Sequence, residues 1–464
     1  MSVDSKDWVA RAKQATRELA TEELVDLGIV PKGEPFVPVI TYPAMGLMPS
    51  ASAEEVLGPD PAVRQPVALY LHLPFCLTRC HFCHWVTRVG STEEEVAGYL
   101  DGLDLEIRLY CEHLHLDRIR ARSILVGGGT PSALSLGNLH KFLQILEKHV
   151  DTTECRQFSF EAEPSTLLGD LGAARLQVLL DHGVHRLSMG VQAFDDGLLR
   201  QTARPHTSAQ ALEAIARIRE FGFQSVAIDL IYGLGGQTLQ QWIDTMLTAV
   251  RSGADSWQLY RLRIAPHGDR PGTVLGHYRQ DPSTYPGYDE GSVMKMLGNL
   301  ISEEHGFHQD YTRIFSRDPS HVSGYLYDVN NDLADVIPAG ISSWGSLERA
   351  YFLHVGDDFG KYRQMLAEGR LPIDRGLVLD EATAQRRALI LALKNTKVDK
   401  RAYFERMGRW PQDLFGPTLD RMRGSGMVEE DEDFLRLTAR GRFFADEVVM
   451  QFFEPRFVPP RKLA

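Results

Sequence analysis

The chain has 464 residues, with 50 Lys and Arg against 62 Asp and Glu, a net charge of -12 and 43% hydrophobic residues. That length suits two or three domains with full cores, since domains run to ~100–200 residues. The acidity speaks against nucleic acid and anionic membranes as principal partners, because both call for a basic surface. No apolar run of about 18 residues is present, so no transmembrane helix is expected. Residues 1–19 are charged and lack an apolar signal-peptide core, so a cytoplasmic protein is expected.

Residues 1–66 read as an irregular N-terminal arm. A helical pattern over 8–27 leads into a Pro-, Gly- and Ser-rich stretch over 31–66. From residue 67 short apolar runs alternate with amphipathic stretches. Strands are predicted over 67–73, 123–127, 157–162, 185–191, 225–231 and 256–262. Helices are predicted between them, over 96–113, 139–149, 173–182, 209–220 and 239–252. Such alternation implies βαβ units and an α/β fold with a parallel sheet. Six units suit a partial barrel or a doubly wound sheet, and periodicity does not choose. After about residue 275 the alternation fades. Residues 285–307 look helical, and 308–345, rich in Gly, Asp and Ser, read as irregular. From about 378 the chain is helical and charged, with a short strand at Phe434–Leu437, a pattern suited to a winged-helix-like domain. The expected division is an arm over 1–66, a barrel with an extension over 67–375, and a mostly helical C-terminal domain over 376–464.

Five cysteines are present, Cys76, Cys80, Cys83, Cys111 and Cys155. An odd count in a cytosolic chain speaks against a disulfide framework. Three of them fall within Cys76-Leu77-Thr78-Arg79-Cys80-His81-Phe82-Cys83, just after the first predicted strand. Thiolates are soft ligands that suit iron–sulfur clusters or zinc. Three on one short loop can wrap one face of a cuboidal cluster, leaving one iron open for substrate chemistry. A structural zinc takes four ligands, and His81 or His84 could supply the fourth. The CxxxCxxC spacing is unlike the paired spacing of a zinc ribbon. Cys111 and Cys155 stand alone and read as small buried apolar residues.

CxxxCxxC at the end of a first barrel strand resembles the radical S-adenosylmethionine (SAM) superfamily. The lead-in Tyr70-Leu71-His72-Leu73-Pro74-Phe75-Cys76 is similar to its HemN-type branch, named for oxygen-independent coproporphyrinogen III oxidase. HemN-like segments follow in order: Gly127-Gly128-Gly129-Thr130-Pro131-Ser132, Glu161-Ala162-Glu163-Pro164, Ser188-Met189-Gly190-Val191-Gln192-Ala193-Phe194 and Asp229-Leu230-Ile231-Tyr232-Gly233-Leu234. Leu437-Thr438-Ala439-Arg440-Gly441 matches the end of that family, so the resemblance covers nearly the whole chain.

The resemblance implies a partial (βα)6 barrel and a 4Fe–4S cluster on Cys76, Cys80 and Cys83. The cluster's open iron would hold one SAM by its amino and carboxylate groups. Reduction by a flavodoxin or ferredoxin would split SAM into methionine and a 5′-deoxyadenosyl radical. The implied SAM contacts are Tyr70, the Phe82 backbone against adenine, and Gly128, Gly129 and Thr130 near the methionine amino group. Glu161, Gln192, Arg204, Asp229 and Ile231 complete the set. Glycines after a strand let backbone approach a ligand and leave N–H groups free. A glycine turn is also common in any βα unit. Asp229 lies in an apolar strand and should have a partner, since an isolated buried acid is costly. Gln192, Arg204 and Asp229 also suit barrel-rim scaffolding, and Tyr70 suits a core aromatic.

HemN-type proteins can bind two SAM, which opens several reactions. These are oxidative decarboxylation of coproporphyrinogen III, class C methylation or cyclopropanation in natural-product pathways, and haem-processing methyl transfer. Haem chaperones share the fold. In the class C reaction the radical takes hydrogen from the methyl of the second SAM, and the methylene adds to an sp2 carbon. Departures from the oxidase pattern favour class C. Cys83 is followed by His84-Trp85 where the oxidases carry a further cysteine one residue on. The arm reads Pro38-Val39-Ile40-Thr41-Tyr42-Pro43 and lacks the oxidases' arginine. A small-molecule substrate is therefore expected, with a separate methyltransferase as a candidate partner. His81, His84 and Trp85 are candidate cavity walls; one of Arg261 and Arg263 is a candidate for a SAM carboxylate, with surface salt bridges as the alternative for both; and Trp344 matches a family loop close to the second SAM, where it suits stacking on adenine or packing between domains.

Overall fold

The protein is described by a computed structural model over residues 5–31, 38–265 and 272–459. Residues 1–4 and 32–37 of the expected arm lie outside the described residues. The six predicted barrel strands all form. They are β1 (Val67–Leu73), β2 (Ile119–Gly128), β3 (Gln157–Ala162), β4 (Arg186–Gln192), β5 (Ser225–Tyr232) and β6 (Ser256–Arg261). They pair in parallel, each with the next. Strands covered on both faces read as near-continuous apolar runs, and all of β1 except Tyr70 is buried.

Four of the five crossover helices begin one to four residues earlier than the apolar periodicity suggests, and the fifth, Leu239–Arg251, begins where expected. Helix Glu93–His113 starts at a capping box made by Thr92 and Glu95. Thr207 with Gln210 and Thr238 with Gln241 do the same for Ser208–Phe221 and Leu239–Arg251. Each box satisfies two backbone donors that the first helical turn leaves unpaired.

The sheet extends beyond six strands. A hairpin of β7 (His308–Tyr311) and β8 (Ile314–Ser316) adds antiparallel to β6. On the other edge β9 (Val336–Ala339) pairs in parallel with β1. Then β10 (Trp344–Leu347), β11 (Ala350–His354) and β12 (Ile373–Val378) continue antiparallel. The two edges, β7 and β12, do not meet, so the barrel stays open. The expectation that 308–345 is irregular is thus corrected. Its strands span only three or four residues each, too short for alternation to register, and helix Gly324–Asn330 lies among them.

Helices Glu381–Lys394, Lys400–Met407 and Pro411–Gly424 surround a three-stranded antiparallel sheet with Phe434–Leu437 in its centre. In the 437–441 segment Thr438 caps the next helix by accepting the Gly441 N–H. A side chain at Gly441 would run into the Met427 carbonyl, which requires glycine there. The single helical pattern over 8–27 is two helices, Ser5–Glu18 and Thr21–Asp26, separated at Ala20 by a left-handed φ of 48°. The Thr41-Tyr42 part of the arm is buried against the C-terminal domain. Val39 N–H donates to Asp446 Oδ1 at 2.8 Å, and Arg387 Nη1 to the Tyr42 carbonyl at 2.7 Å. Cys111 is buried as expected, whereas Cys155 is only partly buried. No helix among the described residues is long and apolar enough to cross a membrane.

Candidate active site

The C-terminal ends of β1–β6, where ligands of parallel α/β sheets bind, open onto a cavity of about 1000 Å³. Every residue named from the sequence as a cluster or SAM contact lines it. From the first strand and loop these are Tyr70, Cys76, Cys80, Phe82 and Cys83; from β2, Gly128, Gly129 and Thr130. From the later strands they are Glu161, Gln192, Arg204, Asp229 and Ile231.

The cysteine loop is held from two sides. His81 N–H donates to the Thr202 carbonyl at 3.2 Å, and Thr78 Oγ1 to the Ala203 carbonyl at 3.2 Å. On the other side Val274 N–H donates to the His81 carbonyl at 2.9 Å. His84 Nδ1 accepts the Gly272 N–H at 3.0 Å, so Nε2 carries the proton and meets the Arg263 carbonyl at 3.0 Å. With both nitrogens engaged by main chain, His84 is a wall residue. His81 packs edge-on against His277, ring centroids 4.9 Å apart.

Thr130 Oγ1 lies 3.4 Å from Cys76 Sγ, and Arg204 Nη1 lies 3.2 Å from Cys80 Sγ. Burial pushes the Cys76 thiol up to about 12 and raises Cys83 as well, each with a contribution from a neighbouring cysteine of the loop. Bare thiolates are disfavoured here, and bound iron is the partner that offsets this. Both ring nitrogens of His84 are taken up by main chain, which removes it as a fourth zinc ligand. Three soft thiol donors from one loop, all lining the cavity, suit the chemistry of a 4Fe–4S cluster.

Across the cavity, burial pushes the Glu161 carboxyl up to about 7, helped by the charge of Asp229. Burial likewise pushes Asp229 up to about 6, opposed by Arg186 and Arg204. Asp229 makes no side-chain hydrogen bond among the described residues, so its partners are these two charges. Arg204 Nη2 donates to the Gly190 carbonyl. The Nε atoms of Arg186 and Arg204 are buried without a hydrogen-bond partner. Buried donors of this kind fit an anionic ligand group. Gln192 adopts a left-handed φ of 70° at the end of β4, a strain that rim residues of ligand sites often store.

The glycine loop corrects one expectation. Its N–H groups are not free: Gly128 donates to Glu161 Oε2 at 3.3 Å, Gly129 to the Leu73 carbonyl at 2.8 Å, and Thr130 to the Phe75 carbonyl at 2.7 Å. A Cβ on Gly128 would meet the His72 ring at 2.7 Å, and on Gly129 the Pro74–Phe75 backbone at 2.7 Å. Packing of the loop against β1 requires these glycines.

Three contributors were missed from sequence. Arg186 opens β4 inside the ring of acids, hidden by its surroundings of ordinary strand residues. Glu163 accepts from His206 Nδ1 at 2.6 Å and lies 3.7 Å from Arg204, so it steadies that guanidinium from behind. Glu163 stands two residues after Glu161, on the same pleat, which was the available signal. His72 lies beneath the loop, with Nε2 3.1 Å from the Val86 carbonyl. Trp344 lines the cavity and also packs on Tyr351, at 6.0 Å between ring centroids. Arg261 lies over the Tyr288 ring at 5.6 Å, and Arg263 Nε donates to the Ala265 carbonyl at 3.0 Å.

Residues 70–249 match the radical SAM superfamily, and residues 379–444 match the HemN C-terminal domain. The chain thus joins a radical SAM domain, whose cofactors are a 4Fe–4S cluster and SAM, to a HemN-type C-terminal domain. Its α/β fold is that of the solved coproporphyrinogen III oxidase (HemN) from Escherichia coli. The TM-score is 0.71 at 22% identity, covering 89% of this chain and 91% of that one. The chain is 28% identical to the heme chaperone HemW of Bacillus subtilis, over 82% of this chain and 98% of the relative. It is 25% identical to the oxygen-independent coproporphyrinogen III oxidase of Pseudomonas aeruginosa, over 85% of this chain and 86% of the relative.

Proposed function

We propose that this chain is a radical SAM enzyme that cleaves SAM reductively at the cysteine loop and turns the resulting radical on a small molecule in the same cavity. The observation that carries this reading is that the three loop thiols, the Glu161–Asp229 acids and the Arg186 and Arg204 donors all open onto one space. When bound by Cys76, Cys80 and Cys83, the cluster supplies the electron that splits the SAM sulfonium. Thr130 and Arg204 orient and shield the Cys76 and Cys80 sulfurs. The spare Nε donors of Arg186 and Arg204 suit the SAM carboxylate. Glu161 and Asp229 suit its cationic amine and sulfonium and its ribose hydroxyls. Tyr70, Phe82 and Ile231 supply apolar wall for adenine, and Gln192 a polar rim contact.

For the second step the reading is class C. The 5′-deoxyadenosyl radical takes hydrogen from the methyl of a second SAM, and the methylene radical adds to an sp2 substrate carbon, giving methylation or cyclopropanation. Its support is local: His84 stands directly after Cys83 and is clamped by Arg263 and Gly272, and the arm lining the cavity carries Ile40 and Thr41 without an arginine. A second reading, porphyrinogen oxidation, is favoured by the names of the relatives and by the cationic residues in the cavity wall. A haem chaperone role, as in the Bacillus relative's name, would show haem binding without SAM turnover.

The test is anaerobic turnover of the reconstituted, reduced protein. 5′-Deoxyadenosine with S-adenosylhomocysteine supports methylene transfer. 5′-Deoxyadenosine with methionine alone points to the oxidase reading, and no 5′-deoxyadenosine defeats the enzyme reading.

A further inference from the structure

His206 takes no part in the reaction proposed above. It stands two residues after Arg204, and its side chain is 0% exposed. Its Nδ1 lies 2.6 Å from Glu163 Oε1, and its Nε2 lies 3.2 Å from the Val191 carbonyl.

Neither partner has a proton to give. A carbonyl oxygen only accepts, and Glu163 is held ionised. Burial alone would raise its carboxyl, but hydrogen bonds from His206 and Ser165 and the charge of Arg204 keep it below the usual carboxylate range. Its other oxygen accepts the Ser165 N–H at 2.8 Å and the Ser165 hydroxyl. A neutral imidazole donates only once, so a ring with an acceptor at each nitrogen carries both protons. The short Nδ1 contact fits a charge-assisted bond.

Glu163 Oε1 is therefore shared by two cations, His206 and, at 3.7 Å, Arg204. Asp229 on β5 is the other acid that feels the Arg204 charge. Arg204 is fixed further by its backbone N–H, which donates to the Leu199 carbonyl at 2.9 Å, and by Nη2 on the Gly190 carbonyl. These contacts leave Nη1 aimed at Cys80 Sγ, 3.2 Å away.

We propose that His206 is a buried imidazolium and a positioning residue: with Glu163 it holds Arg204 against the Cys80 sulfur, and its charge makes the cluster easier to reduce. Hydrogen bonds to cluster sulfurs and the charge around them set the potential of such clusters. A donor or a cation in a buried site favours the state that carries one more electron. The inference rests on the cysteine loop holding a 4Fe–4S cluster.

The test uses the full-length protein with its cluster reconstituted. His206→Gln keeps hydrogen-bonding capacity without the charge, and His206→Lys keeps the charge. A redox titration followed by electron paramagnetic resonance should find the Gln variant roughly tenfold harder to reduce, about 59 mV lower for a one-electron couple. The Lys variant should stay near the unaltered protein. An equal shift in both variants, or a shift in neither, overturns the proposal, because a merely structural role would not follow the charge. A second measurement reads the unaltered protein with isotope-labelled histidine rings. The His206 signals, identified by their loss in either variant, should show both nitrogens protonated at neutral pH. One bare nitrogen overturns the proposal whatever the potentials. Failure of the unaltered protein to take up iron would instead defeat the cluster reading. The two failures are told apart because the first leaves iron bound.

Discussion

Arg204 places one guanidinium nitrogen 3.2 Å from the Sγ of Cys80. Its other terminal nitrogen donates to the carbonyl of Gly190, so one side chain ties the cysteine loop to the end of β4. The approach is set by the turn before it, where Ala203 holds a left-handed φ of 58° and accepts from Thr78.

Arg204→Lys keeps the charge but loses the planar fork. A charge-assisted hydrogen bond is worth about 1.5–3 kcal/mol, so the KM for SAM should rise roughly 10- to 100-fold. Iron content and the cluster absorption band should persist. An unchanged KM would remove Arg204 from the SAM site.

Cys76→Ala, Cys80→Ala and Cys83→Ala should each lose bound iron and sulfide and all 5′-deoxyadenosine formation. Cys155→Ala, outside the cavity, should retain both. Elemental analysis after anaerobic reconstitution reads this directly, and full iron in any loop variant would sink the ligand assignment.

The raised Glu161 and Asp229 carboxyls give a pH dependence with a definite sign. Burial lifts their folded values to about 7 and about 6, above those of an unfolded chain. The folded protein therefore keeps protons that the unfolded chain has released. The stability this contributes is fully present below the unfolded values and is lost as pH rises through about 7. SAM binding runs the opposite way, because ionised acids attract the sulfonium and amine. Titration calorimetry should show SAM affinity rising with pH up to the folded Glu161 value, and Glu161→Gln should flatten the rise. A flat profile in the unaltered protein would separate these acids from SAM.

Methyl-deuterated SAM decides the second step. The class C reading expects deuterium in the released 5′-deoxyadenosine, read by mass spectrometry. Unlabelled 5′-deoxyadenosine from a turning-over enzyme would count against hydrogen abstraction from the second SAM.

Glu106 is fully buried, where it accepts from Gly340 N–H at 2.9 Å and from the Tyr362 hydroxyl and lies 3.0 Å from His354 Nδ1. This network holds the 340–343 turn that carries Trp344 to the cavity. Glu106→Ala leaves the buried Gly340 N–H and Tyr362 hydroxyl without their acceptor and should cost about 1–3 kcal/mol for each. Chemical denaturation reads the loss, and a change under about 1 kcal/mol would show that the turn stands without it.

The barrel strands were legible because both faces of each are buried, so apolar runs such as Val67–Leu73 mark their own limits. Cys76, Cys80 and Cys83 were legible by their clustering on one loop, whereas Glu161 and Asp229 were picked out by the resemblance of their segments, and all five line the cavity. Arg186 was not, since one cation at the start of a strand looks like any solvent-facing residue until its neighbours are placed. Strands β8 and β9 were hidden by brevity, because a buried segment of three or four residues carries no period. The glycine loop misled for a related reason. Sequence shows that Gly128 and Gly129 lack side chains, but only the fold shows that the His72 ring and the Pro74–Phe75 backbone occupy that room.

The arm segment at Val39–Tyr42 is fastened by residues more than 400 positions away, Asp446 and Glu454. Contacts of such separation form late, after the intervening loop entropy has been overcome. During synthesis the arm leaves the ribosome early yet has nothing to dock on until the final helices follow it. The side of the cavity that Ile40 and Thr41 line is therefore completed after the barrel strands, once Asp446 and Glu454 are in place. That side is thus set by residues from both ends of the described sequence.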